Sequence, residues 1–185
     1  MKRKVKKILC LCRFMMIGMG IHWDEKRFKK DLQRWKEIEG FNESDWIAAA
    51  TLLWEKPEFR NLFIYRNRER LFFRTLIKLI YPPMNTLYIE TPDIGGGLFI
   101  QHGFSTMISA KSIGENCWIN QQVTIGYKGG GNPPVIGDNV VITCGAKVLG
   151  EITVGDGAVI GANAVVIKDV EQKAVMVGIP AYRLK

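Results

Sequence analysis

Residues 136–167 read IGDNVVITCGAKVLGEITVGDGAVIGANAVVI. An aliphatic side chain returns at every sixth position: Ile136, Ile142, Val148, Val154, Ile160 and Val166. A helix repeats near 3.6 residues and a strand at 2, so neither alone accounts for the period. The hexads also group in threes. IGENCW from 113, IGDNVV from 136 and VGDGAV from 154 resemble one another, as do INQQVT from 119, ITCGAK from 142 and IGANAV from 160. VLGEIT from 148 and VIKDVE from 166 form the third kind. A unit of three hexads predicts a three-sided coil, with one short strand and one corner per hexad. The first-position aliphatics face inward, together with the smaller fifth-position residues Cys117, Val123, Val140, Ala146, Ala158 and Ala164. Stacked coils pair through their backbones, so each needs its neighbours. The expected fold is mainly β: a parallel β-helix of hexapeptide repeats over residues 84–185, behind a basic helical region at 1–83.

The helical region shows a different period. Phe28, Leu32 and Trp35 are spaced for one helix face, and Gly40 stands where a helix would stop. Asn42 or Ser44 is placed to cap the next helix, which carries Trp46, Ala48–Ala50 and Leu52–Trp54. Pro57 opens a further helical stretch that runs through Phe59, Leu62 and Leu71–Phe73 until YPP at 81–83 stops it. Four of the five tryptophans lie in this half and read as packing anchors between short helices.

Charge is divided in the same way. Residues 1–83 hold 19 Lys and Arg against 10 Asp and Glu, whereas residues 84–185 hold 7 against 8. A basic leader on a near-neutral body does not point to nucleic acid. It is compatible with a membrane surface, an acidic ligand or solubility alone. The start MKRKVKKILCLCRFMMIGMG resembles a signal peptide superficially, but Arg13 interrupts the apolar run and no small-residue cleavage site is clear. No apolar run reaches the roughly 18 residues of a membrane span. A plain helical N-terminus and a weak interfacial attachment are the two readings. Cys10, Cys12, Cys117 and Cys144 show no CxxC or paired spacing and read as reduced thiols. The expected location is cytoplasmic, or peripheral at the inner membrane face.

Two features depart from the repeat. From Ile113 to Ile136 is 23 residues rather than 18, so five are inserted within IGYKGGGNPPVI. A corner can extrude such a loop without disturbing the core; it is either a tolerated insertion or a functional flap. The second feature is His102, the only His of the repeat half, in IQHGFS from 100. His102 occupies the third hexad position, and the same position on later coils holds Gln121, Cys144 and Ala162. These residues form an expected column along one edge, a groove for an elongated ligand with a polar base at its foot. The flap one coil away is placed to cover it. A lone His is otherwise a structural imidazole. A metal is not expected, because one His without Cys or carboxylate at ligand spacing cannot supply three ligands; this also weighs against a metal-dependent hydratase.

The hexads, FIQHG, the corner insertion before PPVIGDNVVI and the ending VMVGIPAYRLK resemble the left-handed β-helix acyltransferases over residues 85–185. The resemblance is to serine acetyltransferases and to O-acetyltransferases of surface-polysaccharide clusters. It implies the left hand, a homotrimer or a dimer of trimers with active sites between neighbouring prisms, and acetyl-CoA as co-substrate. It implies His102 as general base, with imidazole suited to that role near neutral pH. It places the pantetheine arm along the column past Cys144 and Ala162, makes Gly126 and Tyr127 further cofactor-binding residues, and sets a backbone N–H near Gly126 against the developing oxyanion. Lys168, Lys173 and Arg183 are implied candidates for the nucleotide phosphates.

Two positions differ from the serine enzymes. Where they carry an Asp that orients the base, this chain has Leu87, so Glu90 or Asp93 is the substitute orienting acid. Where they carry a second His in the loop, this chain has Pro133, beside Asn132 as a hydrogen-bonding loop residue. The expected function is therefore acetyl-CoA-dependent O-acetylation of a sugar or glycan precursor. L-serine is the alternative acceptor, and a catalytically silent solenoid scaffold is the non-enzyme alternative.

Overall fold

The computed structural model describes the backbone of residues 2–18, 20–21 and 25–184, with side chains described from Cys10 onward. His22 and Trp23 lie outside the described residues. The chain forms two compact units, Met1–Met84 and Asn85–Lys185.

The first unit holds helices α1 (Lys2–Gly18), α2 (Lys26–Glu39), α3 (Asp45–Glu55), α4 (Pro57–Arg66) and α5 (Leu71–Ile80). The Glu25 carboxylate caps α2, accepting from the N–H groups of Arg27 at 3.0 Å and Phe28 at 2.5 Å. Gly40 ends that helix at φ 71°, a left-handed backbone that favours glycine. Ser44 stands at the start of α3 but its side chain makes no capping bond. The single helical stretch expected after Pro57 is two helices. The polar run Asn67–Arg70 has no apolar side chain to bury, and Asn67 closes α4 by donating its side-chain amide to the Phe63 carbonyl at 2.9 Å. The α3 residues Ala48–Ala50, Leu52 and Leu53 are fully buried with Phe59, Leu62 and Phe63. Of the expected tryptophan anchors, Trp35 is buried against Phe59, whereas Trp46 stays 36 % exposed and packs edge-on against Phe14. No described helix is long and apolar enough to cross a membrane.

Inside this unit the Arg66 guanidinium grips Asp31 twice, from Nε at 2.7 Å and from Nη2 at 3.1 Å. Both side chains are almost wholly buried. Removing one partner strands the other charge, which typically costs about 3–5 kcal/mol. Asp31→Ala is therefore expected to destabilise the helical unit by about that amount in a denaturant titration, and far more than Asp45→Ala, whose partner Lys36 is bonded at an exposed site.

The second unit is a parallel β-solenoid of five coils. One face carries β1 (Leu87–Ile89), β3 (Thr106–Ile108), β6 (Thr124–Gly126), β9 (Lys147–Leu149) and β12 (Val165–Val166). The second carries β4 (Ser112–Ile113), β7 (Val135–Ile136) and β10 (Thr153–Val154), extended by single bridges at Ile94 and Val170. The third carries β2 (Phe99–Ile100), β5 (Trp118–Ile119), β8 (Val141–Ile142), β11 (Val159–Ile160) and β13 (Val175–Val177), with β14 (Tyr182–Arg183) added antiparallel. The chain visits the faces in that order and repeats.

The hexad explains the geometry. Ile119, Ile142, Val148, Val154 and Ile160 are fully buried, and so are the fifth-position residues Val123, Val140, Ala146, Ala158 and Ala164. Between them, Asn116, Gln122, Asn139, Gly145, Gly157, Asn163 and Lys173 turn the corners with φ between 56° and 73°. A left-handed residue is least costly as Gly or Asn, which is why those types recur at the fourth position.

Cys117 is one of the inward residues, 1 % exposed, with its thiol donating to the Gly137 carbonyl at 3.1 Å. Burial pushes the thiol up to about 12. An alkylating reagent near pH 8 is expected to label exposed Cys12 and to spare Cys117 until the chain unfolds. Because the folded thiol titrates near 12 and the ordinary value is 9.0, rising alkalinity across that window favours the unfolded chain.

Candidate active site

His102 sits at the corner where the chain passes from the third face to the first. That corner is wider than the repeat requires. Ile100 and Ile108 are eight positions apart, whereas their partners Ile119 and Ile125 one coil later are six apart. The regular hexad expected at residues 100–105 is thus a corner with two extra residues. Three of its members are left-handed: His102 at φ 63°, Gly103 at φ 50° and Ser105 at φ 52°. The His102 carbonyl accepts from the Phe104 N–H at 2.6 Å. The buried Thr106 hydroxyl, 3.2 Å from the Phe104 carbonyl and 3.4 Å from the Asn120 carbonyl, closes the base. On the incoming side the Gln101 Oε1 accepts from the Asn120 side chain at 3.0 Å. The backbone is tied on both sides while the imidazole itself is exposed.

Strand register fixes what lies above it. Ile100, Ile119, Ile142, Ile160 and Met176 are successive partners in one sheet. Two positions on, His102, Gln121, Cys144, Ala162 and Gly178 therefore follow one another along one edge. Backbone bonds hold this register beyond the strands: Gly145 N–H to the Gln121 carbonyl at 3.0 Å, and Asn163 N–H to the Cys144 carbonyl at 2.9 Å. Gly145 turns here at φ 73°, a left-handed backbone that favours glycine, and a Cβ on it would displace the Asn163 side-chain amide. Side chains shrink along the column from imidazole and amide to thiol, methyl and none. Cys144 is half-buried and Ala162 exposed. Sequence reading did not single out the state of Gln121: its Oε1 is buried and has no hydrogen-bond partner among the described residues.

The remaining expected residues stand elsewhere. Gly126 ends β6, is buried, pairs with Leu149 in the ladder and accepts from Gly150 N–H at 2.9 Å. From it the insertion leaves the corner between the first and second faces, not the corner of His102. Tyr127 is 58 % exposed there. Asn132 donates to Glu151 Oε1 at 2.9 Å, which anchors the loop to the next coil at the same corner. The expectation that the flap covers His102 of its own chain is corrected: a whole face lies between them. Glu90 follows β1 and Asp93 precedes the Ile94 bridge, so both belong to the first–second corner as well. Leu87 points into the core at 4 % exposure. Within one chain the orienting acid expected at Glu90 is thus at the far end of the first face. Lys168 also lies at that corner of the last coil, beside a cavity of about 110 Å³ that includes Val166, Met176 and Pro180. Arg183 is paired with Glu171. Among the described residues no cluster of three metal-ligating side chains occurs.

Chemically, the column offers an exposed proton acceptor at the foot of a narrow track of small side chains, with one uncommitted amide oxygen beside it. Residues 133–168 match the bacterial transferase hexapeptide family, described as six repeats, and the unit is a hexapeptide-repeat solenoid. A serine acetyltransferase from Staphylococcus xylosus is 47% identical over 97 residues, which cover 50% of this chain and 45% of that protein. A crystal structure of a serine O-acetyltransferase from Brucella melitensis shares the fold at a TM-score of 0.68, with 24% identity over 92% of this chain and 72% of that one. A serine acetyltransferase in complex with CoA superposes at a TM-score of 0.55, with 27% identity over 84% of this chain and 67% of that one. The chain thus spans less than half the length of the curated relatives it matches.

Because a buried acceptor without a donor costs about 1–3 kcal/mol, Gln121→Leu is expected to leave the solenoid as stable as before or more stable by about 1 kcal/mol. Thermal unfolding of the variant checks this.

Proposed function

We propose that the chain is an acetyl-CoA-dependent O-acetyltransferase and that His102 is its general base. The observation that carries this reading is an exposed imidazole at the foot of a column of small residues, on a hexapeptide-repeat solenoid whose relatives include serine acetyltransferases. The imidazole takes the proton of the acceptor hydroxyl as that oxygen attacks the thioester carbonyl. The tetrahedral intermediate collapses, the carbon–sulfur bond breaks, and the imidazolium returns the proton to the leaving thiolate. No protein nucleophile is needed, because the thioester is already activated. The amide-bearing arm of CoA runs past Gln121, Cys144 and Ala162, where small side chains let backbone groups meet it. Lys168, which stands at the first–second corner, serves its phosphates from a neighbouring chain. A bound CoA in a solved serine acetyltransferase supports this donor.

The site is completed across subunits of a homotrimer. What supports this is that His102 and the loop carrying Tyr127 and Asn132 leave one chain at different edges. A neighbouring prism that offers its loop edge to the His102 edge brings together what one chain separates, and can carry Glu90 with it.

The acceptor we assign is L-serine, in place of the sugar or glycan precursor expected from the loop, on the strength of the named activities of the relatives. A sugar hydroxyl is the second reading, and one observation favours it: Pro133 offers no side-chain donor, and Asn132 is already engaged by Glu151.

Release of free thiol from acetyl-CoA, followed with L-serine and with a panel of sugars, tests all of this. Serine-dependent release is expected, lowered about 10²–10⁴-fold in His102→Ala. Release with sugars alone would transfer the assignment to the second reading. Failure of the folded chain to bind CoA would overturn the transferase reading.

A further inference from the structure

The helical unit holds a cavity of about 210 Å³ lined by Arg13, Trp54, Arg60, Tyr81 and Pro82. Two guanidinium groups meet there. Arg13, from α1, lies over the ring of Tyr81 at 5.1 Å and over that of Trp54 at 5.6 Å, and its Nη2 donates to the Ile80 carbonyl. Arg60, from α4, reaches to the end of α3. Its Nε donates to the Leu53 carbonyl at 2.6 Å, its Nη2 to the Trp54 carbonyl at 2.5 Å and its Nη1 to the Pro82 carbonyl at 3.3 Å. These bonds fix both heads, and each guanidinium has further N–H groups.

The charges around the cavity are not balanced by its lining. Among the described residues no carboxylate lines it. Arg60 is held below its ordinary value, first by burial and then by the neighbouring charge of Arg13; Tyr81 and, least, Glu58 act in the opposite sense. Tyr81 is 1 % exposed, and its hydroxyl has no hydrogen-bond partner among the described residues. Burial pushes this phenol up to about 12, so it keeps its proton at neutral pH and is a donor. An unmatched buried donor forfeits its hydration, and two like charges side by side repel. A single negatively charged acceptor among the three groups removes both penalties, with charge-assisted bonds that are stronger than neutral ones.

We propose that this cavity binds a small oxyanion, a carboxylate or a phosphate group, through Arg13, Arg60 and Tyr81. All three lie in the helical unit, so the site shares no residue with the His102 column and does not rest on the transferase reading. The volume suits a small anion or the anionic end of a larger molecule, and is below that of pockets that enclose drug-sized ligands.

The test uses the full chain. Thermal unfolding and calorimetric titration are followed with inorganic phosphate and, separately, with acetate, against chloride at equal ionic strength. A saturable rise in Tm is expected with at least one of the two oxyanions and not with chloride. Phosphate alone would assign a phosphate group, acetate alone a carboxylate, and both an oxyanion site without selection between them. Arg13→Gln and Tyr81→Phe are expected to weaken binding about 10-fold or more. Tyr81→Phe keeps the ring and removes the unmatched hydroxyl, so it is expected to unfold no earlier than wild type in anion-free buffer. That separates loss of binding from loss of folding. Absence of a saturable shift beyond chloride would overturn the proposal. So would an equal shift in wild type and in a Tyr81→Phe variant of unchanged anion-free stability, because the anion then binds elsewhere.

Discussion

The backbone ladder between successive coils is the constraint on which the solenoid depends. Its strands are only two or three residues long, too short to persist as isolated pairs. Each is held because its N–H groups donate to the next coil: Trp118 to the Val140 carbonyl, Val141 to Ala158 and Val159 to Ala174, each at 2.9 Å. Register then repeats without slippage, because a shift of one position would turn every buried Ile or Val outward. The same register makes a column of residues that are far apart in the chain. His102 and Ala162 share an edge for the same reason that Ile100 and Ile160 share a core.

Against that regular background, the proposed site gathers where the repeat is broken. Two corners carry extra residues: the one that lifts His102 out on a left-handed turn, and the one that extrudes residues 127–134. Neither disturbs the ladder, since Ile108 and Ile125 pair across the first break and Ile113 and Ile136 across the second. A solenoid tolerates local violation well, because each coil is fixed by its neighbours rather than by its own corners. The two breaks lie at different edges, which is the physical reason for a site shared between chains in the proposed enzyme.

The helical unit handles buried charge in two ways. Asp31 and Arg66 neutralise one another through two bonds in the interior. Arg13 and Arg60 instead spend their bonds on carbonyls at the ends of α5 and α3 and leave their positive charge facing a cavity. Carbonyls at helix C-termini carry partial negative charge and suit a guanidinium, yet they do not cancel it. The contrast between the two arrangements is what marks the cavity as a place for an anion rather than as a packing defect.

Much of the solenoid was legible because a period of six leaves no other arrangement for the inward residues. Ile142, Val148 and Ile160, with Cys117 among the small fifth-position residues, were assigned to the core from spacing alone, and the column His102, Gln121, Cys144, Ala162 followed from the same count. The helix boundaries at Gly40, Pro57 and the Pro82–Pro83 pair were legible because their backbone preferences are local. The split between α4 and α5, the widened corner at His102 and the seating of Asn132 on Glu151 were not, since each depends on which distant group supplies the hydrogen bond. The sequence by itself determined the coil, its handful of inward residues and the edge on which His102 stands, because these follow from the alternation of apolar and corner residues. Only the tertiary structure decided that Glu90 and the loop belong to another edge, that the Gln121 oxygen is left unmatched, and that Arg13, Arg60 and Tyr81 converge, because such encounters arise from how separate segments are brought together in space.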